Sequence, residues 1–287
     1  MKIDCHVHVT PPDIIANRKK IAEKEPYFSL LFNDKAASGK AVSVRNSRLA
    51  EAEEVIAAME KDKFDRAVIF GFAFRDMGLC RYVNDYVIEK VKQFPSKLIG
   101  FAVVPGGKTA VKEIERCNSA GLKGVGELFP AGQGIDPANK KETSKITGAC
   151  KELNLPLLLH ANEQVGHYYP GKTDITLKQM ETFVKNNPEL KIILAHFGGG
   201  LLFYETMKEI RESFCNVYYD TAAAPFLYDY RIYRVIKAFG ISKKILFGSD
   251  FPLMPPSRCL EGINLSDLGD EEKQLILGTN ARKLLNF

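Results

Sequence analysis

The chain has no tryptophan, only five histidines and no C-x-x-C pair among its 287 residues. No segment reaches about 18 consecutive apolar residues, which excludes a membrane-spanning helix. No block of like charge appears either. The 40 basic residues stand against 35 acidic ones, and the net charge of +5 is spread along the chain, which argues against a nucleic-acid partner. The six cysteines (Cys5, Cys80, Cys117, Cys150, Cys215, Cys259) are scattered, mostly among apolar neighbours, where a free thiol behaves as a small hydrophobe. A disulfide framework is not expected, and a reducing cytoplasm is the expected compartment. Met1-Lys2-Ile3 leads directly into a strand-like segment, so a signal peptide is not expected.

What is present is a repeat of strand, loop and helix. Apolar runs recur at Lys2–Val9, Arg66–Phe72, Leu98–Val104, Gly124–Phe129, Pro156–Ala161, Lys191–Phe197, Asn216–Thr221 and Lys244–Asp250. Several are near-continuous in Val, Ile, Leu and Phe, as parallel strands covered on the outside by helices require. Amphipathic stretches lie between and after them. Ser47–Lys63 gathers Leu49, Val55, Ile56 and Met59 largely on one stripe, with Glu51, Glu53, Glu54 and Lys61 outward. Val83–Phe94, Ala110–Ala120, Asn139–Leu153, Thr176–Asn187, Leu201–Ser213, Tyr230–Phe239 and Glu271–Leu285 read similarly. Gly121 and Gly240 stand where a helix end needs positive φ.

Eight such units predict an α/β fold, a (β/α)8 TIM barrel formed by one domain over 1–287, with its active site at the C-terminal ends of the strands. An open doubly wound sheet is the alternative, but it would not converge the ends of the first, fifth, sixth and eighth strands on one point. The long insertion Thr10–Asn46, between the first strand and its helix, reads as a lid or substrate wall.

Four of the five histidines end a predicted strand. His6 and His8 close Ile3-Asp4-Cys5-His6-Val7-His8, and strand alternation points both imidazoles inward while Cys5 and Val7 face the helices. His160 closes Leu157-Leu158-Leu159-His160, His196 closes Ile192-Ile193-Leu194-Ala195-His196, and Asp250 closes Ile245-Leu246-Phe247-Gly248-Ser249-Asp250. One histidine at a strand end is usually an ordinary satisfied polar residue. Four of them with an aspartate on one rim point instead to a divalent cation, zinc first, because imidazole and carboxylate are its ligands in catalytic sites. His167, in Gln164-Val165-Gly166-His167-Tyr168-Tyr169, reads as a surface loop residue within reach of a substrate. Tyr168, Tyr169 and Phe74 are candidates for the pocket wall, and Gly198-Gly199-Gly200 either cradles an anion or simply turns the chain.

With these residues in place, the chain resembles the amidohydrolase superfamily, specifically its amidohydrolase-related branch. The resemblance rests on the H-x-H of the first strand, the two His-ended strands, Gly248-Ser249-Asp250-Phe251-Pro252 and the ending Gly278-Thr279-Asn280-Ala281-Arg282-Lys283-Leu284-Leu285, and it spans essentially the whole chain. It implies a metal held by His6, His8, His160 and Asp250, with His196 as a second-site ligand or a catalytic base, and Asp250 as a proton shuttle. Many members place a carboxylated lysine on the fourth strand to bridge two metals. Here Lys123 precedes that strand, and Glu127 stands near its catalytic end, similar to TatD-type deoxyribonucleases in which that glutamate binds metal. Glu127 is thus either a ligand or a carboxylate that orients a ligand histidine, and one or two ions remain open.

The chemistry expected from this set is hydrolysis of an amide, lactone or ester-like bond in a small-molecule substrate, with Asp250 and His196 as catalytic groups. Decarboxylation or hydration of an aromatic or unsaturated acid is the first alternative, with Arg75 and Arg258 as candidate carboxylate partners. A TatD-like nuclease is the second, and a non-enzymatic metal-binding or regulatory barrel the third. The oligomeric state is not encoded in any pattern that can be read.

Overall fold

The near-continuous Val, Ile and Leu runs pair side by side in chain order in the computed structural model, which describes residues 1–32 and 48–286. The strands are β1 (Ile3–His8), β2 (Arg66–Phe70), β3 (Leu98–Ala102), β4 (Gly124–Leu128), β5 (Leu157–Leu159), β6 (Ile192–Leu194), β7 (Val217–Asp220) and β8 (Ile245–Leu246), ordered β1 to β8 in one sheet. All seven neighbouring pairs are parallel. The ring closes where Cys5 N donates to Phe247 O at 2.7 Å and His8 N to Phe251 O at 2.8 Å, with a parallel bridge between Val7 and Phe251. This is the (β/α)8 barrel that the strand spacing predicts.

Alternating residues separate two packed layers, as the pleat of a strand requires. Val7, Ile69, Leu157, Ile192 and Ile245 pack with helix residues such as Val55, Met59 and Val87. Val68, Phe70, Ile99, Leu158, Ile193 and Leu246 form a second cluster with Ile3 and Cys5. Cys5 therefore differs from its expected helix-facing position. The pairing register of β1 shifts between Asp4 and Val7, and such a bulge re-aims the residues around it.

The helical boundaries depart from the periodic pattern for local reasons. The first barrel helix begins at Ala52, where Glu51 N donates to Glu54 Oε1 at 3.3 Å in a capping box, and the chain just before it is held beside the residues after β1 by the Thr10 N to Ala50 O bond at 2.8 Å. Ser47, and Asn33–Asn46 of the expected lid, lie outside the described residues. The described part of that insertion forms three short helices, Pro12–Ala16, Arg18–Ala22 and Pro26–Phe32. Met77–Gln93 starts a turn and a half before Val83, where the Asp76 side chain accepts from Leu79 N at 2.8 Å and caps it. Leu201–Ser213 divides into a 3-10 segment, Leu201–Thr206, and a helix, Lys208–Ser213, around the extended Met207.

A further helix, Pro256–Leu265, follows β8, and the expected Glu271–Leu285 helix breaks into Asp270–Gln274 and Asn280–Leu285. The break is a wide turn at Gly278, where a β-carbon would stand 2.3 Å from the Met1 carbonyl oxygen. Beyond it, Asn280 Nδ2 donates to Ser242 O at 2.8 Å and Ile245 O at 2.7 Å, fastening the chain end under β8. Among the described residues, no helix is long and apolar enough to cross a membrane.

Candidate metal centre

The strand ends bring His6, His8, Glu127, His160, His196 and Asp250 together at one mouth of the barrel. His6 Nε2 lies 3.3 Å from His8 Nε2 and 3.4 Å from Glu127 Oε2. Asp250 Oδ1 is 3.4 Å from His8 Nε2 and 3.7 Å from His6 Nε2. On the other side, Glu127 Oε1 is 3.1 Å from His160 Nδ1 and 3.6 Å from His196 Nε2, and those two nitrogens are 3.2 Å apart. Among the described residues, two three-residue sets have ligand atoms all within 4.8 Å of one another: His6, His8 and Asp250, and His6, Glu127 and His196.

Backbone geometry aims these side chains. His196 and Asp250 sit at left-handed φ values of 56° and 66°, which are uncommon for residues other than glycine and cluster at functional sites. Gly199, at φ 60°, passes so close to Asn162 that a β-carbon would meet its carbonyl oxygen at 2.3 Å. The glycine run therefore serves as a tight turn beside His196.

Partners outside the cluster fix which nitrogen of each ring carries hydrogen. His6 Nδ1 donates to Asp220 Oδ2 at 2.8 Å, leaving the Nε2 lone pair inward. His196 Nδ1 donates to the Ala222 carbonyl at 3.0 Å, again leaving Nε2 inward. His160 is turned round: Nε2 donates to the Gly171 carbonyl at 2.8 Å, so Nδ1 faces the centre. Inward lone pairs thus oppose one another and two carboxylates, an arrangement that needs protons or a cation between them. A divalent cation fits this donor set.

The electrostatics point the same way. Burial alone would depress the His6 imidazole, but the Asp220 and Glu127 carboxylates outweigh it and hold its pKa well above the ordinary value. His8 is raised against burial by hydrogen bonds with Asp250 and Glu127, and His196 is pushed up to about 9 by the same carboxylates. Burial would raise Glu127, yet the His6 charge and hydrogen bonds from His160 and His196 hold it well below the carboxylate range. Asp250 is likewise lowered, by His8 first and then the other imidazoles. The cluster attracts positive charge.

Asp220 is the residue that sequence reasoning missed. It ends β7, fully buried, and its Oδ1 accepts from His196 N at 2.9 Å while its Oδ2 holds His6. The rule that picked out Asp250, a carboxylate closing a strand, applies equally to Tyr218-Tyr219-Asp220. Asp4 was also missed: its Oδ1 accepts from Ser249 N at 2.9 Å, and burial pushes its pKa up to about 7.

Above the cluster lies a cavity of about 300 Å³. Leu31, Phe32, Leu49, Phe72, Phe129, Phe226, Leu227 and Leu253 give it apolar walls, and His8, Glu127, His160, His196 and Asp250 form its floor. Tyr169 and His167 line it, whereas Tyr168 is exposed and Phe74 is buried among Phe28 and Phe72. Arg75 does not line the cavity; its Nε donates to the Gly132 carbonyl at 2.7 Å. Arg258 lies 5.0 Å over the Phe226 ring and reaches the cavity only through that wall. Among the described residues, Arg48 is the arginine in the lining, and it is ion-paired with Glu54.

A parallel barrel whose strand ends converge four imidazoles and two carboxylates under an apolar cavity defines an enzyme of the metal-dependent barrel class. The amidohydrolase family model matches residues 3–287, and the chain belongs to that family. It is 24% identical to 2-amino-3-carboxymuconate-6-semialdehyde decarboxylase of Dictyostelium discoideum, over 100% of this chain and 92% of that protein. Its fold is similar to that of 5-carboxyvanillate decarboxylase from Novosphingobium aromaticivorans, solved with manganese (TM-score 0.79, 17% identity, 100% and 96% of the two chains). It is similar also to a probable 2-pyrone-4,6-dicarboxylic acid hydrolase from Acinetobacter baumannii with citric acid bound (TM-score 0.66, 17% identity, 100% and 99%).

Proposed function

We propose that the protein is a metal-dependent decarboxylase of a small aromatic or unsaturated carboxylic acid. The observation that carries this reading is the cavity: apolar and phenylalanine-walled, with Arg48 as the one arginine among its described lining residues and the ligand cluster as its floor. Flat apolar walls suit a planar conjugated substrate, and a guanidinium matches a carboxylate in geometry and charge. The named relatives support the same reaction class, since two of the three are decarboxylases. The alternative that the sequence ranked second thus moves ahead of simple hydrolysis.

In this reading His6, His8, His160 and Asp250 hold one divalent ion, with Glu127 and His196 beside it. The shared His6 supports a single ion, because both candidate ligand sets use its one inward lone pair and one lone pair binds one metal. Zinc and manganese both suit imidazole with carboxylate. Such a cation supplies Lewis acidity towards a substrate oxygen and lowers the pKa of bound water. The chain's residues do the rest. Arg48, exchanging its ion pair with Glu54 for the substrate carboxylate, anchors the acid, and the Phe72, Phe129 and Phe226 walls keep the ring flat and exclude water. As the carbon–carboxylate bond breaks, carbon dioxide leaves, its bonding electron pair stays on the substrate carbon, and that carbon takes a proton delivered through Asp250. His196 stands beside the ion, and its pKa, raised to about 9, keeps the ring protonated, so Nε2–H donates to the developing charge.

Hydrolysis of a lactone is the second reading, favoured by the pyrone hydrolase resemblance; there Asp250 takes the proton of the attacking water. A nuclease reading has less support, because the apolar walls offer a phosphate backbone little to bind. The test incubates metal-loaded protein with carboxyl-labelled hydroxybenzoates, methoxybenzoates and a 2-pyrone carboxylate, and analyses products. Labelled carbon dioxide with a proton at the vacated carbon supports decarboxylation. Ring-opened acid from the pyrone, with no carbon dioxide from any acid, overturns it in favour of hydrolysis.

A further inference from the structure

The loop from Asn162 to Ile175 both walls the cavity and touches the cluster, and its polar groups are fixed. Asn162 Oδ1 accepts from Thr173 N at 3.0 Å and Thr173 Oγ1 at 2.8 Å, closing the loop at its base. Within it Lys172 Nζ donates to the Gly166 and His167 carbonyls at 3.3 Å each. Gly171 sits between the reacting floor and the wall. A β-carbon there would stand 3.8 Å from His160 Cε1 and 3.5 Å from Tyr169 Cε2, so imidazole and phenol flank one glycine.

The Tyr169 hydroxyl lies 2.6 Å from Glu163 Oε2, a short contact typical of a hydroxyl donating to a carboxylate. A phenol has one hydrogen, and a carboxylate only accepts. The hydrogen is therefore committed to Glu163, and the phenol oxygen keeps only lone pairs for anything else that approaches. Burial and the neighbouring Glu163 both raise the Tyr169 pKa, so the phenol stays neutral and the donation persists. Glu163 is outside the cavity lining; Tyr169 is part of it.

We propose that Tyr169, its hydrogen committed to Glu163, is an obligate acceptor that selects acids carrying a hydroxyl or amino hydrogen on the Gly171 side of the cavity. This rests on the reading of the cavity as an acid-binding site and narrows its substrate class. A group that accepts only, such as a methoxy oxygen, would face the phenol oxygen lone pair to lone pair. Discrimination is strongest where a buried polar group is left unpaired by the wrong ligand.

The test measures calorimetric dissociation constants of 2-, 3- and 4-hydroxybenzoate and of the three matching methoxybenzoates for the metal-loaded protein. The tightest hydroxybenzoate is expected to bind about tenfold better than its methoxy counterpart, tenfold being about 1.4 kcal/mol. In Tyr169→Phe the ratio is expected to fall to near one. In Glu163→Gln the side-chain amide can donate to the phenol and release its hydrogen, so the ratio is expected to fall there too. A wall residue with no acceptor role would weaken both ligands together and leave the ratio intact. Equal binding of hydroxy and methoxy acids by the wild type, or a ratio preserved in Tyr169→Phe, overturns this inference alone. Failure of all six acids to bind overturns it together with the acid-binding reading.

Discussion

Asp220 joins two of the cluster's histidines through one carboxylate, with Oδ2 2.8 Å from His6 Nδ1 and Oδ1 2.9 Å from the backbone nitrogen of His196. It sets the hydrogen position on one ring and the strand-end geometry of the other, while standing outside the ligand sets themselves. Asp220→Asn can present an amide hydrogen to His6 Nδ1, which would move the ring's own hydrogen to the inward nitrogen. Metal affinity is expected to fall about 10- to 100-fold, the usual cost of losing such a partner. Competition with a coloured chelator measures it, and wild-type affinity in the folded variant would remove Asp220 from this role.

The raised imidazoles give metal uptake a pH dependence of definite sign. Without metal, the neighbouring carboxylates raise the pKa values of His6, His8 and His196, the last to about 9. A cation must displace protons from the imidazoles that bind it, so affinity is expected to rise from pH 6 towards 9, about tenfold per unit for each proton released. Calorimetry in buffers of different ionisation enthalpy counts the protons. Affinity that stays level across this range would contradict the charge balance described.

Asp250→Asn keeps the side chain's size and one oxygen but loses the charge and the ability to carry a proton. The barrel is expected to remain folded and to bind metal more weakly. A lost general acid–base group typically costs about 10²–10⁴-fold, so kcat should fall at least about 100-fold with metal saturating. Near-normal kcat would transfer the proton to His196.

Much of this was written in the chain, and the departures have physical causes. Four histidines and Asp250 announced themselves because a strand end in a parallel barrel faces the active site. Gly121 and Gly240 adopt positive φ (105° and 66°), as their helix-ending positions require. Cys5 was misjudged because strict alternation carries no sign of the bulge between Asp4 and Val7. Asp220 was legible by the same strand-end rule and went unread. The lining arginine was not legible: Arg75 and Arg258 follow strands as loop residues do, whereas Arg48 lines the cavity from the stretch before the helix that starts at Ala52. The Glu163–Tyr169 pair depends on loop conformation, for which six residues of sequence separation give no code.

Away from the site, Glu113 gives the fold an acid-sensitive point. It is fully buried between helices, accepting from Arg116 Nη2 at 2.7 Å, Asn84 Nδ2 at 2.9 Å and Arg81 Nε at 3.2 Å. Burial would raise its pKa, but hydrogen bonds from Arg116 and then Asn84 hold it at about 2. A carboxylate depressed on folding adds stability above its unfolded pKa of about 4.3, on the order of 3 kcal/mol here, and loses it as pH falls towards 2. Urea midpoints of wild type should drop between pH 5 and 2, while Glu113→Gln, less stable at pH 7, should show a shallower drop. Equal slopes would remove Glu113 as the source.

The most direct measurement is a titration of metal-stripped protein with Zn2+ or Mn2+, counting ions per chain by elemental analysis and following decarboxylation as each equivalent is added. One ion per chain is expected, with activity rising from zero and levelling at one equivalent. Full activity in the stripped protein, or activity that requires a second equivalent, would contradict a single cation held around His6.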